Sequence, residues 1–159
     1  MRSTSFIAIL VGTLACVGAA RAADSVVVGR AVSNTYIPGV EGACGPITAD
    51  ELCMDVWFVW KISVSRTISG PPIIGRVRAS RPQHATFVRS YMRQNRLFLL
   101  RPIDDPEQRT LLQADYHLVD MSEDQCLDAR PRELNGADVQ ITHTERGDVY
   151  CFVLDDKRG

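Results

Sequence analysis

The chain has 159 residues, of which 45% are hydrophobic and 23% are charged, and its net charge is −1. This length accommodates one compact domain and is too short for two ordinary ones. The apolar content is ordinary and no low-complexity stretch or fixed-period repeat is present, which excludes a disordered chain, a collagen-like chain and a coiled coil.

The N-terminus has the pattern of a secretory signal peptide. Arg2 precedes an apolar run over residues 6–16, and small residues then lead to an A-x-A cleavage signal that ends at Ala22. We predict that residues 1–22 are the signal peptide and that residues 23–159 form a single disulfide-stabilised domain. No transmembrane segment is predicted, because no stretch reaches the roughly 18 consecutive apolar residues that a membrane-spanning helix requires.

These features predict a periplasmic or secreted protein. Sixteen Arg against two Lys are typical of a GC-rich bacterial genome, which favours a bacterial source. A lipoprotein is the alternative, because residues 13–16 form an imperfect lipobox in which Cys16 would carry the lipid.

Four cysteines remain after the predicted cleavage site, and an even number in an exported domain predicts two disulfides. Of the three possible pairings we favour Cys44–Cys53, which closes a short loop, and Cys126–Cys151, which ties down the C-terminal segment. No C-x-x-C pair is present, and the three histidines are scattered without metal-ligand spacing. The cysteines are therefore predicted to be structural, and neither a metal nor a cofactor is expected.

The mature chain begins with a predicted strand over residues 25–33, which are rich in β-branched residues. Gly29 interrupts this strand and indicates a bulge or bend. Residues 34–55 contain several Gly and Pro, which predicts a long loop that the first cysteine pair closes.

The clearest predicted element is the second strand, residues 56–65, in which apolar side chains alternate with others. The alternation puts Trp60 in the core and Trp57 on the opposite face. Residues 70–72 force a turn, and a third strand over residues 73–79 completes a hairpin.

Helical and extended patterns then alternate in the remaining chain. In order, the predicted elements are a short amphipathic helix over 87–92, a strand over 97–100, a polar loop over 104–107, a fifth strand over 112–118 and a hairpin of 139–144 with 149–154.

Three strands, a helix and two strands is the element order of the OB-fold, a small Greek-key barrel. We therefore predict a mainly β fold, an OB-like barrel with one short helix between strands 3 and 4 and an extra C-terminal hairpin. Residues 26–33, the cysteine-bearing loop and the strand end at 61–70 resemble the netrin-type modules that include tissue inhibitors of metalloproteinases. Those inhibitors chelate zinc through an N-terminal cysteine, whereas this mature chain would begin with Ala23, so the resemblance does not imply metalloproteinase inhibition.

Nine basic residues and no acidic residue lie between Val56 and Ile103, whereas both flanks are acidic. A cationic stripe on the second and third strands would attract anionic ligands through Coulomb attraction and bidentate arginine contacts. In an OB-fold this sheet face is the usual ligand platform. The candidate binding residues are Trp57, Lys61, Arg76 and Arg78. The alternative is that the bases form weak surface ion pairs with the acidic flanks.

We expect a non-enzymatic binding protein whose partner is another exported protein or an anionic component of the cell envelope. Nucleic acid is not an expected partner, because the mature chain is net negative and exported. A first alternative is an enzyme inhibitor or immunity protein whose Cys44–Cys53 loop plugs an active site. A second is a small hydrolase in which Asp115 orients His117 on the fifth strand. No nucleophile motif accompanies that pair, so no catalytic residue is assigned.

Overall fold

Eight strands and one α-helix make up the described part of the chain, which a computed structural model gives as residues 22–40, 55–84, 92, 94–134 and 139–153. In chain order they are β1 (Ser25–Tyr36), β2 (Val56–Ser69), β3 (Gly75–Gln83), β4 (Arg96–Pro102), α1 (Pro106–Leu111), β5 (Tyr116–Ser122), β6 (Cys126–Leu127), β7 (Val139–Thr144) and β8 (Gly147–Phe152). The predicted mainly β fold with a C-terminal hairpin is confirmed, and the described residues contain one short helix, α1.

The first five strands close into a barrel in the order β1-β2-β3-β5-β4. β1 pairs antiparallel with both β2 and β4, which closes the barrel, and β3 pairs in parallel with β5. A parallel pair between non-consecutive strands requires the chain to cross over, as in a Greek-key barrel. The OB-like architecture is therefore confirmed.

Gly29 marks an irregularity in β1, as predicted. The pairing between β1 and β2 shifts register between Val28 and Gly29. A Cβ atom added to Gly29 would lie 2.6 Å from the backbone oxygen of Ser63, so only glycine lets the two strands approach so closely. Such irregularities bend a strand and help it to close a barrel.

The barrel interior is an apolar core built from alternating positions. Trp60 and Ile62 of β2 point inward, whereas Trp57 is only half-buried, which confirms the predicted opposition of the two tryptophans. The buried members of this core are Val27, Ala31, Phe58, Trp60, Ile62, Ile73, Ala79, Phe98, Leu100 and Leu118.

A second layer covers part of the barrel's outer surface. The sheet β6-β8-β7 packs its apolar residues against outward-facing residues of β1 and β4. The buried members of this second cluster are Val26, Leu97, Leu99, Leu127, Tyr150 and Phe152. The C-terminal hairpin is thus an integral part of the domain rather than an appendage.

The Cys126–Cys151 disulfide joins two strands of this second sheet. The two cysteines lie directly opposite each other in β6 and β8, and their Sγ atoms are 2.13 Å apart. This predicted pairing is confirmed. Cys44 and Cys53 lie outside the described residues, as does the predicted signal peptide up to residue 21.

The structure differs from the sequence prediction between β4 and β5. Residues predicted to form a polar loop instead begin α1, where the Asp105 side chain accepts a hydrogen bond from the Glu107 N–H at 2.9 Å and Pro106 occupies the first turn. The fifth strand begins at Tyr116 rather than at residue 112. The amphipathic helix predicted over 87–92 lies outside the described residues except for Met92.

Two residues assigned to the fifth strand belong instead to a third apolar cluster. Leu112 and Ala114 are buried there beside Ile37, Val59 and Ile103. Their alternation with polar neighbours comes from burial beneath the loops that follow β1 and β4, and not from a pleated strand.

Candidate functional site

The predicted binding residues Lys61 and Arg78 lie side by side on the outer surface of the barrel. Trp60 and Ile62 of β2 are in the core, so Lys61 between them points outward. Lys61 lies directly opposite Arg78 of β3, and both side chains are exposed. Side chains that face each other on adjacent antiparallel strands have Cβ atoms about 5 Å apart.

A second row of basic residues adjoins the first. Ser63 of β2 lies opposite Arg76 of β3 on one side and opposite Arg30 of β1 on the other. Arg30 and Arg76 are both exposed. Two strand spacings separate them, so their backbones are roughly 10 Å apart, and the two rows are offset by roughly 7 Å along the strands. We call Arg30, Lys61, Arg76 and Arg78 the cationic face.

Arg30 was not among the predicted binding residues, because it lies outside the basic run between Val56 and Ile103. A signal was available in the sequence. Arg30 precedes Ala31, whose side chain is buried in the core, so alternation alone puts Arg30 outside. Pairing of the first and second strands of an OB-like barrel then brings Arg30 beside β2.

Most of the charge on the cationic face is not neutralised by acidic neighbours. Arg78 pairs with Asp115 at 3.6 Å, and about half of each side chain is exposed. Within the described ranges, no carboxylate forms an ion pair with Arg30, Lys61 or Arg76. The face therefore keeps a concentrated positive charge that is open to solvent.

Other basic residues between Val56 and Ile103 do form ion pairs. Arg96 is buried and pairs with Glu123, and Arg101 pairs with Asp24. The expectation that the bases pair with acidic flanks therefore holds for these arginines and for Arg78.

Trp57 is separated from the basic residues. It is on the same side of β2 as Lys61 but four residues earlier, roughly 13 Å along the strand. Its ring centroid is 6.2 Å from that of His117, and the side chain packs against the cluster that contains Val59. The structure thus brings Lys61, Arg76 and Arg78 together and leaves Trp57 at some distance from them.

His117 is half-buried beside Trp57, between β3 and β4. It lies opposite Ser80 on one side and Arg101 on the other, with its Nδ1 3.5 Å from the Ser80 Oγ. Burial lowers the pKa of His117, and the positive charges of Arg101 and Arg132 lower it further. Burial and these charges therefore favour the neutral imidazole.

The arrangement expected of a base and its orienting carboxylate is replaced by other contacts. The Asp115 carboxylate pairs with Arg78, while His117 contacts Ser80 and Trp57. Ser80 itself is 1% exposed, so its hydroxyl is not presented to a substrate.

A buried carboxylate fixes the start of the barrel. The Asp24 side chain is fully buried and accepts two hydrogen bonds of 2.9 Å from the Arg101 guanidinium and one of 3.0 Å from the Arg132 backbone N–H. The hydrogen bond to Asp24 raises the pKa of Arg101 above its ordinary value, against the opposing effect of burial. These contacts join the first strand, β4 and the segment after β6.

The predicted inhibitory loop bounded by Cys44 and Cys53 lies outside the described residues. Of the neighbouring residues, Tyr36 is half-exposed, and its ring contacts that of Phe58 in a tilted arrangement with centroids 5.9 Å apart. Ile37 is buried in the third cluster. Ile37 is therefore not available to a partner.

Among the residues described, no group of three or more His, Cys, Asp and Glu side chains is placed to hold a metal ion. No helix there has the length and apolarity needed to cross a membrane.

Comparison with known proteins finds no significant match: no family model, no curated protein and no solved structure is similar to this chain. The fold and the geometry of the cationic face are therefore the guides to function.

Proposed function

We propose that this protein is a non-enzymatic binding protein of the bacterial periplasm or exterior, and that its cationic face binds an anionic partner. The observation that carries the proposal is the pair of adjoining rows on β1, β2 and β3, in which Arg30, Lys61 and Arg76 have no carboxylate partner among the described residues. The outer surface of strands 2 and 3 is also where OB-folds commonly bind their ligands.

The chemistry of the face suits carboxylate or phosphate groups. Arginine guanidinium groups can form two parallel hydrogen bonds to such groups, and three of the four bases are arginines. Because these side chains are exposed, salt screens their attraction and weakens binding. The partner is an acidic surface of another exported protein or an anionic component of the cell envelope. The netrin-type resemblance remains a prediction and adds no zinc-chelating role.

Charge reversal on the face tests this function. The oxidised mature protein and its Lys61→Glu/Arg76→Glu variant are used to isolate partners from the periplasm and medium of a bacterium that exports the protein. Affinity for each purified partner is then measured by calorimetry. The variant should bind at least about tenfold more weakly, since each reversed charge repels the groups that it formerly attracted.

Arg130→Glu/Arg146→Glu is the matched control. It changes the net charge by the same amount at two exposed positions, one after β6 and one in the turn between β7 and β8. The control should retain partners and affinity. Equal loss in both double variants would show that net charge alone matters, and equal retention would show that the cationic face is not the binding site.

A further inference from the structure

The turn between β2 and β3 presents an exposed isoleucine to solvent. Ile74 is 93% exposed, whereas the preceding Ile73 is 7% exposed and belongs to the core. Pro71 and Pro72, which precede this pair, are also exposed. A large aliphatic side chain so completely hydrated has no role in holding the barrel together.

The turn that carries Ile74 is held firmly in place. The Ser25 hydroxyl donates to the Pro71 carbonyl at 2.9 Å. The Ile73 N–H donates to the Thr67 hydroxyl at 2.9 Å, and that hydroxyl donates back to the Ile73 carbonyl at 3.3 Å. These bonds fix the backbone immediately before Ile74.

Gly70 allows the turn to pack directly on the start of the barrel. Its φ is +83°, and an added Cβ would lie 2.0 Å from the Asp24 backbone oxygen. The turn therefore rests on a residue whose own side chain is locked by Arg101.

Ile74 also adjoins the cationic face. It is two residues before Arg76 on the chain that enters β3, and Arg30 lies one strand beyond Ser63 in the same row as Arg76. The centres of protein–protein interfaces are apolar, and arginine is enriched in interfaces relative to the rest of the surface, so an exposed apolar side chain next to arginines is compatible with such an interface.

We propose that Ile74 is the anchor residue of a protein–protein interface and enters an apolar pocket on an exported protein, with carboxylates around that pocket facing Arg76 and Arg30. This proposal rests on the proposed function of the cationic face and identifies the partner as a protein with an acidic rim. Positive charge beside the anchor selects such a rim by electrostatic complementarity.

The fixed turn favours a protein pocket over a lipid surface. A preorganised anchor loses little conformational freedom when it enters a shaped pocket. Attachment to lipid depends on the total apolar area that is buried, and one isoleucine offers little of it.

The first step of the test locates the partner by position. A photo-crosslinking amino acid replaces Ile74 in the full-length chain, and in a control it replaces Ile141, which is 50% exposed on β7 of the other sheet. After irradiation of cells that export the protein, mass spectrometry identifies the adducts. The expected result is a second, different protein joined at position 74 and not at position 141. No adduct at position 74, an adduct with a second copy of this chain, or an adduct with lipid would overturn the proposal.

The second step measures the anchor's contribution with the purified partner. Ile74→Ser should weaken the affinity at least about tenfold, and Ile141→Ser should change it by less than about twofold. Both variants should retain the thermal unfolding midpoint of the natural protein, because neither side chain is in the core. Vesicles of phosphatidylglycerol are the lipid probe, and Ile74-dependent binding to them would overturn the proposal.

The two proposals fail in different ways. If Lys61→Glu/Arg76→Glu weakens binding to the partner and Ile74→Ser does not, the cationic face stands and the anchor is wrong. If neither variant weakens binding, both proposals are wrong.

Discussion

The barrel has two outer faces that differ in polarity and in exposure to solvent. On β1 and β4 the outward side chains of Val26, Leu97 and Leu99 are apolar and are buried by the second sheet. On β1, β2 and β3 the outward side chains of the cationic face are charged and exposed. One face therefore contributes to folding, and the other remains available for binding.

The sequences of the strands record this difference. β4 contains four consecutive apolar residues, Leu97 to Leu100, because both of its sides are buried. β2 alternates Trp60 and Ile62 with Lys61 and Ser63, because only one of its sides faces the core. A continuous apolar run in a small barrel thus indicates that a second layer covers the strand, and an alternating strand indicates an open face.

The largest effect on the unfolding free energy is expected from replacing Asp24. Its buried carboxylate joins the first strand, β4 and the segment after β6. Asp24→Asn leaves the Arg101 guanidinium without its charge partner, and breaking a buried pair in this way costs about 3–5 kcal/mol of unfolding free energy. Asp115→Asn removes the half-exposed partner of Arg78 and should cost about 1 kcal/mol or less. Urea unfolding monitored by circular dichroism measures both. Similar costs for the two variants would mean that Asp24 is not an essential buried contact.

The next prediction compares the contributions to the unfolding free energy of one side chain from each outer face. Leu99 is fully buried, so Leu99→Ala should lower the unfolding free energy by about 2–5 kcal/mol through lost burial and the cavity that remains. Lys61→Ala removes an exposed side chain and should change the free energy by less than about 0.5 kcal/mol. The same urea titrations measure this pair. A small cost for Leu99→Ala would show that the second sheet does not cover β4 tightly.

Local periodicity and spacing were sufficient to predict much of the fold. The alternation around Trp60, the irregularity at Gly29 and the Cys126–Cys151 pair were all readable, because each depends on a strand period, a glycine or a count of cysteines. The element order then led to the barrel. The strand period and the glycine are local signals, and four cysteines allow only three pairings.

The helix α1 was missed because it has no apolar periodicity. None of its six residues is buried, so only its start signals, Asp105 followed by Pro106, distinguish it from a loop. The opposite error occurred at Leu112 and Ala114, where alternation came from packing in a separate cluster. In both places tertiary contacts decide what the local pattern means.

The candidate site could be predicted only in part from the sequence, because some of its contacts are long-range. Lys61, Arg76 and Arg78 follow from one hairpin and its register. Arg30 reaches the same face through the pairing of β1 with β2, and Asp24 meets an arginine 77 positions away. Long-range pairings of this kind have no local signature in a single sequence.

The smallest expected effect is the pH dependence of stability that comes from His117, which lies beside Trp57 and opposite Ser80. Burial lowers the pKa of His117 in the folded protein, so the unfolded chain binds a proton more readily. His117 therefore contributes its full stability above the unfolded pKa of about 6.5, and this contribution is lost as the pH falls through that value toward the lowered folded pKa.

In His117→Gln, which cannot take up the proton, the unfolding free energy should fall less between neutral pH and about pH 5 than in the natural protein. Urea titrations across this range measure the difference. Parallel curves would mean that protonation of His117 is not linked to folding.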